Sequence, residues 1–404
     1  MILCAIYYLI NRGSIPFTSF YQRYNIVILI STVALAFIVL MIAYLHQQEI
    51  MSAREKRTWV ELMMLAATVF VLPMLVEGKE SRAFEEVALL ICYAFAIQGI
   101  IGLAAFLYPP LGDFLIRIKP ESIATADVLA NRFRFFNLSG VLLVELTAVF
   151  GIAFIVFFWF DLKNNHPYMS GWKKYIIFFF IFFGTMLSGR TGFIGFLMGL
   201  GGWIIFSFNR IYLFFRRNIT YLIGATALVF FIYFIVLSGR QRQTFSDQLF
   251  PFAFEWYYNY RDYGKLEVGS MEATEDHYYY LRDETLLHGH GVDAFGGNFY
   301  LYSHSDAGYI NVLVFGGIPF LICLIIYQCL YFYRPIAIAL KNNSHDDQIN
   351  TGFFILLFLY IFIVEIKAPA VGYLHAAEVM YLALGSSYII QHYYIQKEQD
   401  ELTG

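Results

Sequence analysis

Long apolar runs alternate with short polar segments along most of the chain. Many runs are close to the roughly 20 residues that an α-helix needs to cross a hydrocarbon core of about 30 Å. They predict transmembrane helices near residues 26–45, 58–76, 87–108, 138–160, 175–188, 191–208, 219–237, 308–333, 351–366 and 371–392. The pattern therefore predicts an all-α, polytopic integral membrane protein of about 10–11 transmembrane helices, with residues 1–404 forming a single membrane domain.

The composition agrees with a lipid environment. Hydrophobic residues make up 59% of the chain and charged residues only 14%, so a water-soluble fold would leave much apolar surface exposed. The formal net charge of −3 argues against nucleic acid as a partner, because binding to phosphate backbones needs a basic surface. All four cysteines lie in apolar runs, which gives no sign of a disulfide framework or a thiolate metal site.

The basic residues of the short loops predict the orientation. Three such loops are expected on the cytoplasmic side because lysine and arginine are enriched there. They contain Lys163, Lys173 and Lys174, then Arg210, Arg216 and Arg217, then Arg334 and Lys341. Counting spans between them places residues 109–137, the turn at Arg190 and residues 238–307 together on the extracytoplasmic face.

The segment 238–307 is about 70 residues long, and loops of this length are usually functional or disordered. Its stretches FPFAFEWYYNYRDYG and DHYYYLRDE are rich in aromatic residues, which disordered segments lack. We therefore expect an ordered, lid-like insertion.

Arg190 is the first candidate for binding chemistry. It lies in LSGRTGF, between Ser188 and Thr191, where one apolar run ends and the next begins. A guanidinium, a capping hydroxyl and the start of a helix can together bind a phosphate-type anion. Arg240 and Arg242, at the root of the large loop, are candidates for a second cationic arm. The alternative for all three is an interfacial arginine that reaches the lipid head groups.

His304 and Asp306 are the second candidate. They lie in YSHSDAGY, just before the span 308–333, where either side chain could accept a proton as a general base. Alternatively, Ser305 or Asp306 caps the helix that follows. The nearby HGHG stretch is glycine-rich and indicates turns rather than a metal site, so no metal is predicted.

Several ionisable residues fall inside the predicted spans or at their ends, and in spans such residues usually face a bundle interior or a water-filled cavity. They are Glu145, Glu365, Lys367, His375 and Glu378. They could equally mark a transport path. Arg132 and Arg134, on the predicted outer face, are candidates for contact with an anionic lipid head group or a polysaccharide.

Four motifs occur in the order LSGRTGF, FEWYYNYRDYG, LLHGHG and HSDAGYINVLVFGGIPF. In this order, and with this predicted sidedness, the chain resembles the Wzy-type O-antigen and capsular polysaccharide polymerases over roughly residues 130–335. These are membrane glycosyltransferases of the GT-C kind, related to the O-antigen ligases.

The resemblance implies an inverting, metal-independent and cofactor-free glycosyltransferase. It would transfer a growing glycan from undecaprenyl diphosphate to a hydroxyl of a lipid-linked repeat unit, at the periplasmic face of a bacterial inner membrane. Arg190, Arg240 and Arg242 would bind the diphosphate, with His304 or Asp306 as the base. Trp256, Tyr257 and Tyr258 could stack on sugars or form the core of the loop.

The implied partners are the lipid-linked donor and acceptor, membrane lipid, a flippase and a regulator of chain length. Two other functions stay open at this point. One is an O-antigen ligase-type transferase, which would attach finished glycan to another molecule. The other is a flippase or transporter of lipid-linked oligosaccharides. Transporters usually bind their substrate near the bilayer midplane and often consist of two repeated halves. This sequence shows neither feature.

Overall fold

The computed structural model describes residues 19–46, 53–118, 143–163, 169, 171–207, 234, 237–264, 283–291, 307–341, 344–367 and 375–403. Within these ranges the regular structure is helical, without strands. The long helices are α1 Ser19–Leu45, α2 Ala53–Leu75, α3 Ala83–Leu107, α5 Leu143–Lys163, α6 Lys173–Ser188, α7 Thr191–Ser207, α11 Gly308–Lys341, α12 His345–Lys367 and α13 His375–Thr403. Shorter helices include α4 Pro109–Arg117, α8 Gly239–Thr244, α9 Glu255–Tyr263 and α10 Asp283–His288.

Each long helix overlaps one of the predicted spans, and only the span predicted at 219–237 lies largely outside the described residues. Six of the described helices are long and apolar enough to cross a membrane. Large apolar side chains are exposed on them, such as Ile30 at 63% and Phe37 at 59% on α1. A surface of this kind is stable in lipid but not in water, as expected of a polytopic membrane protein.

The chain divides into two compact units. The first combines Met1–Ala88 with Ser270–Gly404. Polar contacts between helices help to hold it together. Lipid solvates the apolar surfaces of separate helices as well as it solvates packed ones, so hydrogen bonds between helices contribute to their association. The Tyr24 hydroxyl on α1 donates to the Tyr331 carbonyl on α11 at 2.7 Å, and the Ser386 hydroxyl on α13 donates to Asn25 on α1 at 2.8 Å.

The second unit is Leu89–Gly269. Helix α5 is its centre, since most of its apolar side chains are buried. Phenylalanine rings fill the space between α5, α6 and α7. The ring centroid of Phe154 lies 5.9 Å from that of Phe178 and 5.3 Å from that of Phe196. Edge-on packing of this kind contributes about 0.5–1.5 kcal/mol per pair beyond area burial.

Candidate active site

The turn that carries Arg190 has a fixed backbone. Helix α6 ends at Ser188 and α7 begins at Thr191, with Gly189 between them at φ 152° and ψ 174°. That conformation is almost restricted to glycine. A side chain at Gly189 would also place its Cβ only 2.7 Å from the Thr147 Cγ2 atom on α5. Two helices therefore meet at the predicted turn, with Gly189 and Arg190 between them.

Glycines of α7 allow this helix to pack closely against α5 beside the turn. A Cβ added at Gly192 would lie 2.9 Å from the Thr147 carbonyl oxygen, and one at Gly199 would lie 2.7 Å from the Phe158 ring. At Gly195 an added Cβ would overlap the backbone of Gly151. Small residues on one helix face allow this close approach of backbones in membrane proteins. The packing gives Arg190 a rigid support.

Arg190 forms an ion pair with Glu255, the first residue of α9 in the large loop. The two side chains are 21% and 31% exposed. The ring centroids of Phe193 and Phe254 lie 5.8 Å apart and join the same two segments. The predicted cation therefore has a carboxylate partner, and an anionic ligand must compete with Glu255. Sequence reasoning missed Glu255, because no local pattern reveals a pairing across 65 positions of chain.

The root of the large loop is anchored by α8. Ser238 and Gln241 form a reciprocal capping box at its start, which satisfies two backbone donors. The Gln241 side-chain amide also donates to the carbonyls of Phe106 and Leu107 at 3.1 and 2.8 Å. These carbonyls lie in the last turn of α3, where intrahelical partners are missing.

Arg242 lies in this anchored segment and is half-buried. Its Nε donates to the Leu237 carbonyl at 3.1 Å. Leu237 belongs to an apolar cluster with Leu249 and with Leu187 of α6, which lies three residues before Arg190. Arg190 and Arg242 therefore lie close in sequence to leucines that pack together in one apolar cluster. Arg240 lies on α8, but its side chain is outside the described part.

Helix α9 presents a row of exposed tyrosines. Tyr257, Tyr260 and Tyr263 are 50%, 58% and 78% exposed, and their spacing of three places them along one side of the helix. The predicted contact residue Tyr257 is therefore at the surface, while the side chain of Trp256 is outside the described part. Tyr258 is covered by the Arg261 guanidinium, 4.8 Å from its ring centroid.

Arg261 also pairs with its neighbour Asp262. Its Nε donates to Asp262 Oδ1 at 2.7 Å, and its Nη2 donates to Asp262 Oδ2 at 3.0 Å. This hydrogen bonding lowers the pKa of Asp262 and raises the pKa of Arg261. The two side chains are 55% and 44% exposed, so the pair contributes little to the stability of the fold.

The HGHG stretch folds onto a break in α11. Gly317 has φ 65° inside that helix, and Pro319 has no N–H for the Phe315 carbonyl. Two loop amides replace the missing helical donors: the N–H of His290 donates to the Val314 carbonyl at 2.6 Å, and that of Gly291 to the Phe315 carbonyl at 2.9 Å. Gly289 and Gly291 have positive φ, so the predicted glycine turns are confirmed.

Four predicted site residues lie outside the described ranges: His304, Asp306, Arg132 and Arg134. Helix α11 starts at Gly308, two residues after Asp306. Its first turn is closed by Asn311, whose backbone and side-chain nitrogens donate to the Ala307 carbonyl at 3.1 and 2.9 Å.

No family model matches the chain, and no curated protein matches it. The function of the site therefore has to be inferred from its own residues.

Proposed function

We propose that the chain is a polysaccharide polymerase of a bacterial inner membrane, with about 10–11 spans in a GT-C-like arrangement and its active face in the periplasm. It transfers a growing glycan from undecaprenyl diphosphate to a hydroxyl of a lipid-linked repeat unit. The observation that carries the proposal is the Arg190 turn, in which a rigidly supported guanidinium is ion-paired to Glu255 of the tyrosine-bearing loop helix.

The Arg190 turn suits a diphosphate leaving group. A guanidinium binds phosphate oxygens with two parallel hydrogen bonds, and α7 begins at the next residue, with the positive end of its dipole beside Arg190. Partial exposure of both ion-pair partners lets a ligand reach them. We expect the diphosphate to displace Glu255, and Arg242, with Arg240, to supply further positive charge.

The reaction needs little beyond this fixed charge. The bond between the anomeric carbon and the diphosphate oxygen breaks while the acceptor hydroxyl oxygen bonds to the same carbon. Undecaprenyl diphosphate leaves with the electron pair as a stable anion, so no strong general acid is required. Groups that stabilise the charge developing on the leaving oxygen accelerate the step. Direct displacement inverts the anomeric configuration.

The proton of the acceptor hydroxyl must go to a base. The sequence offers His304 and Asp306 for this role, immediately before α11. A histidine is suited to proton transfer near neutral pH, and a carboxylate beside it can orient the ring or accept the proton itself.

The exposed tyrosines of α9 are suited to sugars. Carbohydrate rings offer apolar C–H faces, and a tyrosine provides both a flat apolar surface and a hydroxyl. Tyr257 and Tyr260, on the helix that begins with Glu255, would hold the glycan next to the diphosphate site.

A deletion of the gene in its host tests the proposal. Loss of a polymerase leaves a single repeat unit on the surface lipid, visible by polysaccharide gel. Long glycan that is not attached to the surface lipid would instead indicate a ligase, and complete absence of surface glycan would indicate a flippase. Either of the last two results would refute the proposal.

Complementation then tests the site. We expect Arg190→Ala to give no long glycan at normal protein levels. The matched control is Arg82→Ala, which removes another arginine that pairs with a glutamate, Glu85, at 3.4 Å. The control should restore the full ladder. A full ladder with Arg190→Ala would contradict the assigned site.

A further inference from the structure

A second group of polar side chains lies in the interior of the first unit. Glu61 on α2 and His375 and Glu378 on α13 each offer one ligand atom, and these atoms all lie within 4.8 Å of one another. Glu61 and Glu378 are 0% and 1% exposed. His375 is 12% exposed at the first residue of α13. We infer that these three residues bind a divalent transition-metal ion.

The hydrogen bonding of Glu61 supports a ligand at this position. Its Oε1 accepts from the Tyr327 hydroxyl at 2.7 Å, and Tyr327 in turn contacts the hydroxyls of Tyr331 at 2.7 Å and Thr32 at 2.9 Å. Its Oε2 has no hydrogen-bond partner among the described residues. That oxygen faces the His375 Nδ1 at 3.8 Å, which is too long for a hydrogen bond.

An unsatisfied carboxylate oxygen in this setting is costly. Buried polar atoms are nearly always hydrogen-bonded or bound to an ion, and two carboxylates close together in a low-dielectric interior repel each other strongly. Among the described side chains that reach Glu61 from α1 and α11, the Tyr327 hydroxyl contacts it directly, and the Thr32 and Tyr331 hydroxyls contact Tyr327. A divalent cation would balance both negative charges and coordinate Oε2.

The donor set indicates the kind of ion. One imidazole nitrogen with two carboxylate oxygens is typical of Zn²⁺ and related first-row ions, whose ligands lie at about 2.0–2.2 Å. Two ligands of one such ion can be separated by up to about 4 Å, and the 3.8 Å between Glu61 Oε2 and His375 Nδ1 falls within this range. Three protein ligands leave one coordination position open for water. Water can reach this position from the side of His375, which is 12% exposed.

The histidines of HGHG and His304 show no spacing that is diagnostic of a metal site, so no metal was predicted from the sequence. Glu61 was not considered, since it lies about 315 positions from its neighbours on α13. The site is independent of the proposed glycan reaction. Its structural effect would be to join α2 to α13.

Metal binding to the purified full-length protein in detergent tests the inference. After treatment with a chelator, the protein is re-exposed to Zn²⁺ or Co²⁺, freed of excess metal by gel filtration and measured by mass spectrometry of the elements. We expect about one ion per chain, and at least tenfold weaker binding by Glu61→Gln or Glu378→Gln, because changes even to outer-shell groups cost roughly 10–100-fold.

Glu145→Gln is the matched control, because Glu145 is a glutamate with 3% exposure in the other unit. It should bind metal like the unaltered protein. Co²⁺ gives a readout that needs no variant: bound cobalt should show visible absorption bands characteristic of nitrogen and oxygen ligands. No retained ion and no cobalt bands in the unaltered protein, or equal retention by Glu61→Gln, would overturn the inference.

Discussion

The Arg190–Glu255 pair and the Glu61–His375–Glu378 group place charge in an otherwise apolar protein in two different ways. The first joins opposite charges whose side chains are 21% and 31% exposed. The second brings two carboxylates together at 0% and 1% exposure. Water can solvate the partners of the first pair when they separate, so it can open for a ligand at modest cost. Carboxylates buried like those of the second are costly unless a counter-charge or a proton neutralises them.

The two groups also differ in what holds them. Close contacts between backbones position the Arg190 turn, since α7 packs on α5 through glycines. The Tyr327 hydroxyl on α11 holds Glu61 and is itself hydrogen-bonded to the Thr32 hydroxyl on α1. One region is therefore sensitive to added volume and the other to lost hydrogen bonds.

Gly195→Ala should have the largest effect. The new methyl group would overlap the Gly151 backbone, which no change of rotamer can relieve, so we expect a loss of about 3 kcal/mol in stability. Thermal unfolding in detergent measures it. Gly201→Ala, on the same helix, meets nothing within 4 Å and should leave the melting temperature unchanged or slightly raised, because alanine favours a helix more than glycine does. Equal melting of the two variants would contradict the close packing.

Tyr327→Phe should destabilise the protein by about 2 kcal/mol, because it removes the donor to a buried Glu61 oxygen and leaves that acceptor unsatisfied. The same unfolding measurement applies. Tyr333→Phe is the control, since Tyr333 is on the same helix but 65% exposed. If the two variants lose the same stability, the hydroxyl network does not hold Glu61.

Glu255→Gln should have a smaller effect, and on binding rather than stability. Without the competing carboxylate, Arg190 is more available. We expect KM for the lipid-linked donor to fall by up to about fivefold, in line with roughly 0.2–1 kcal/mol for exposed pairs. The catalytic rate kcat should change little. Steady-state kinetics measures kcat and KM separately. A lower kcat at constant KM would mean that Glu255 positions the guanidinium instead.

Arg261→Ala should have the smallest effect and provides a solvated reference pair. Hydrogen bonding by Arg261 lowers the pKa of Asp262 from its ordinary value of 3.8. The stabilisation is therefore present above that value and is lost as the pH falls through the lowered pKa. NMR titration of Asp262 should show its pKa rising towards 3.8 in the variant. An unchanged pKa would contradict the pairing.

The helices could be predicted from the sequence because a membrane sets their length and apolar character. The turn at Arg190 was also predictable, since glycine and arginine interrupt two apolar runs there. The end of α11 was harder to predict, because the predicted span stopped at residue 333 whereas the helix continues to Lys341. Polar residues such as Arg334 end the apolar run but do not end a helix whose backbone bonds continue.

The partners within each polar group could not be predicted. Glu255 reaches Arg190, and Glu61 reaches His375, only because helices distant in sequence pack together. His375 and Glu378 were visible as neighbours, since a spacing of three places them on one side of a helix. The third member of their group came from α2, where a single glutamate in a span gave no pattern to read.

Reconstitution of the purified protein in lipid vesicles tests the proposed function most directly. The substrate is the lipid-linked repeat unit extracted from a host that lacks this gene, and the products are separated by polysaccharide gel. We expect long glycan together with free undecaprenyl diphosphate, and at least a hundredfold slower formation with Arg190→Ala, as for loss of a group that stabilises developing negative charge. Unchanged repeat units with the unaltered protein, or equal rates for the two proteins, would contradict the account.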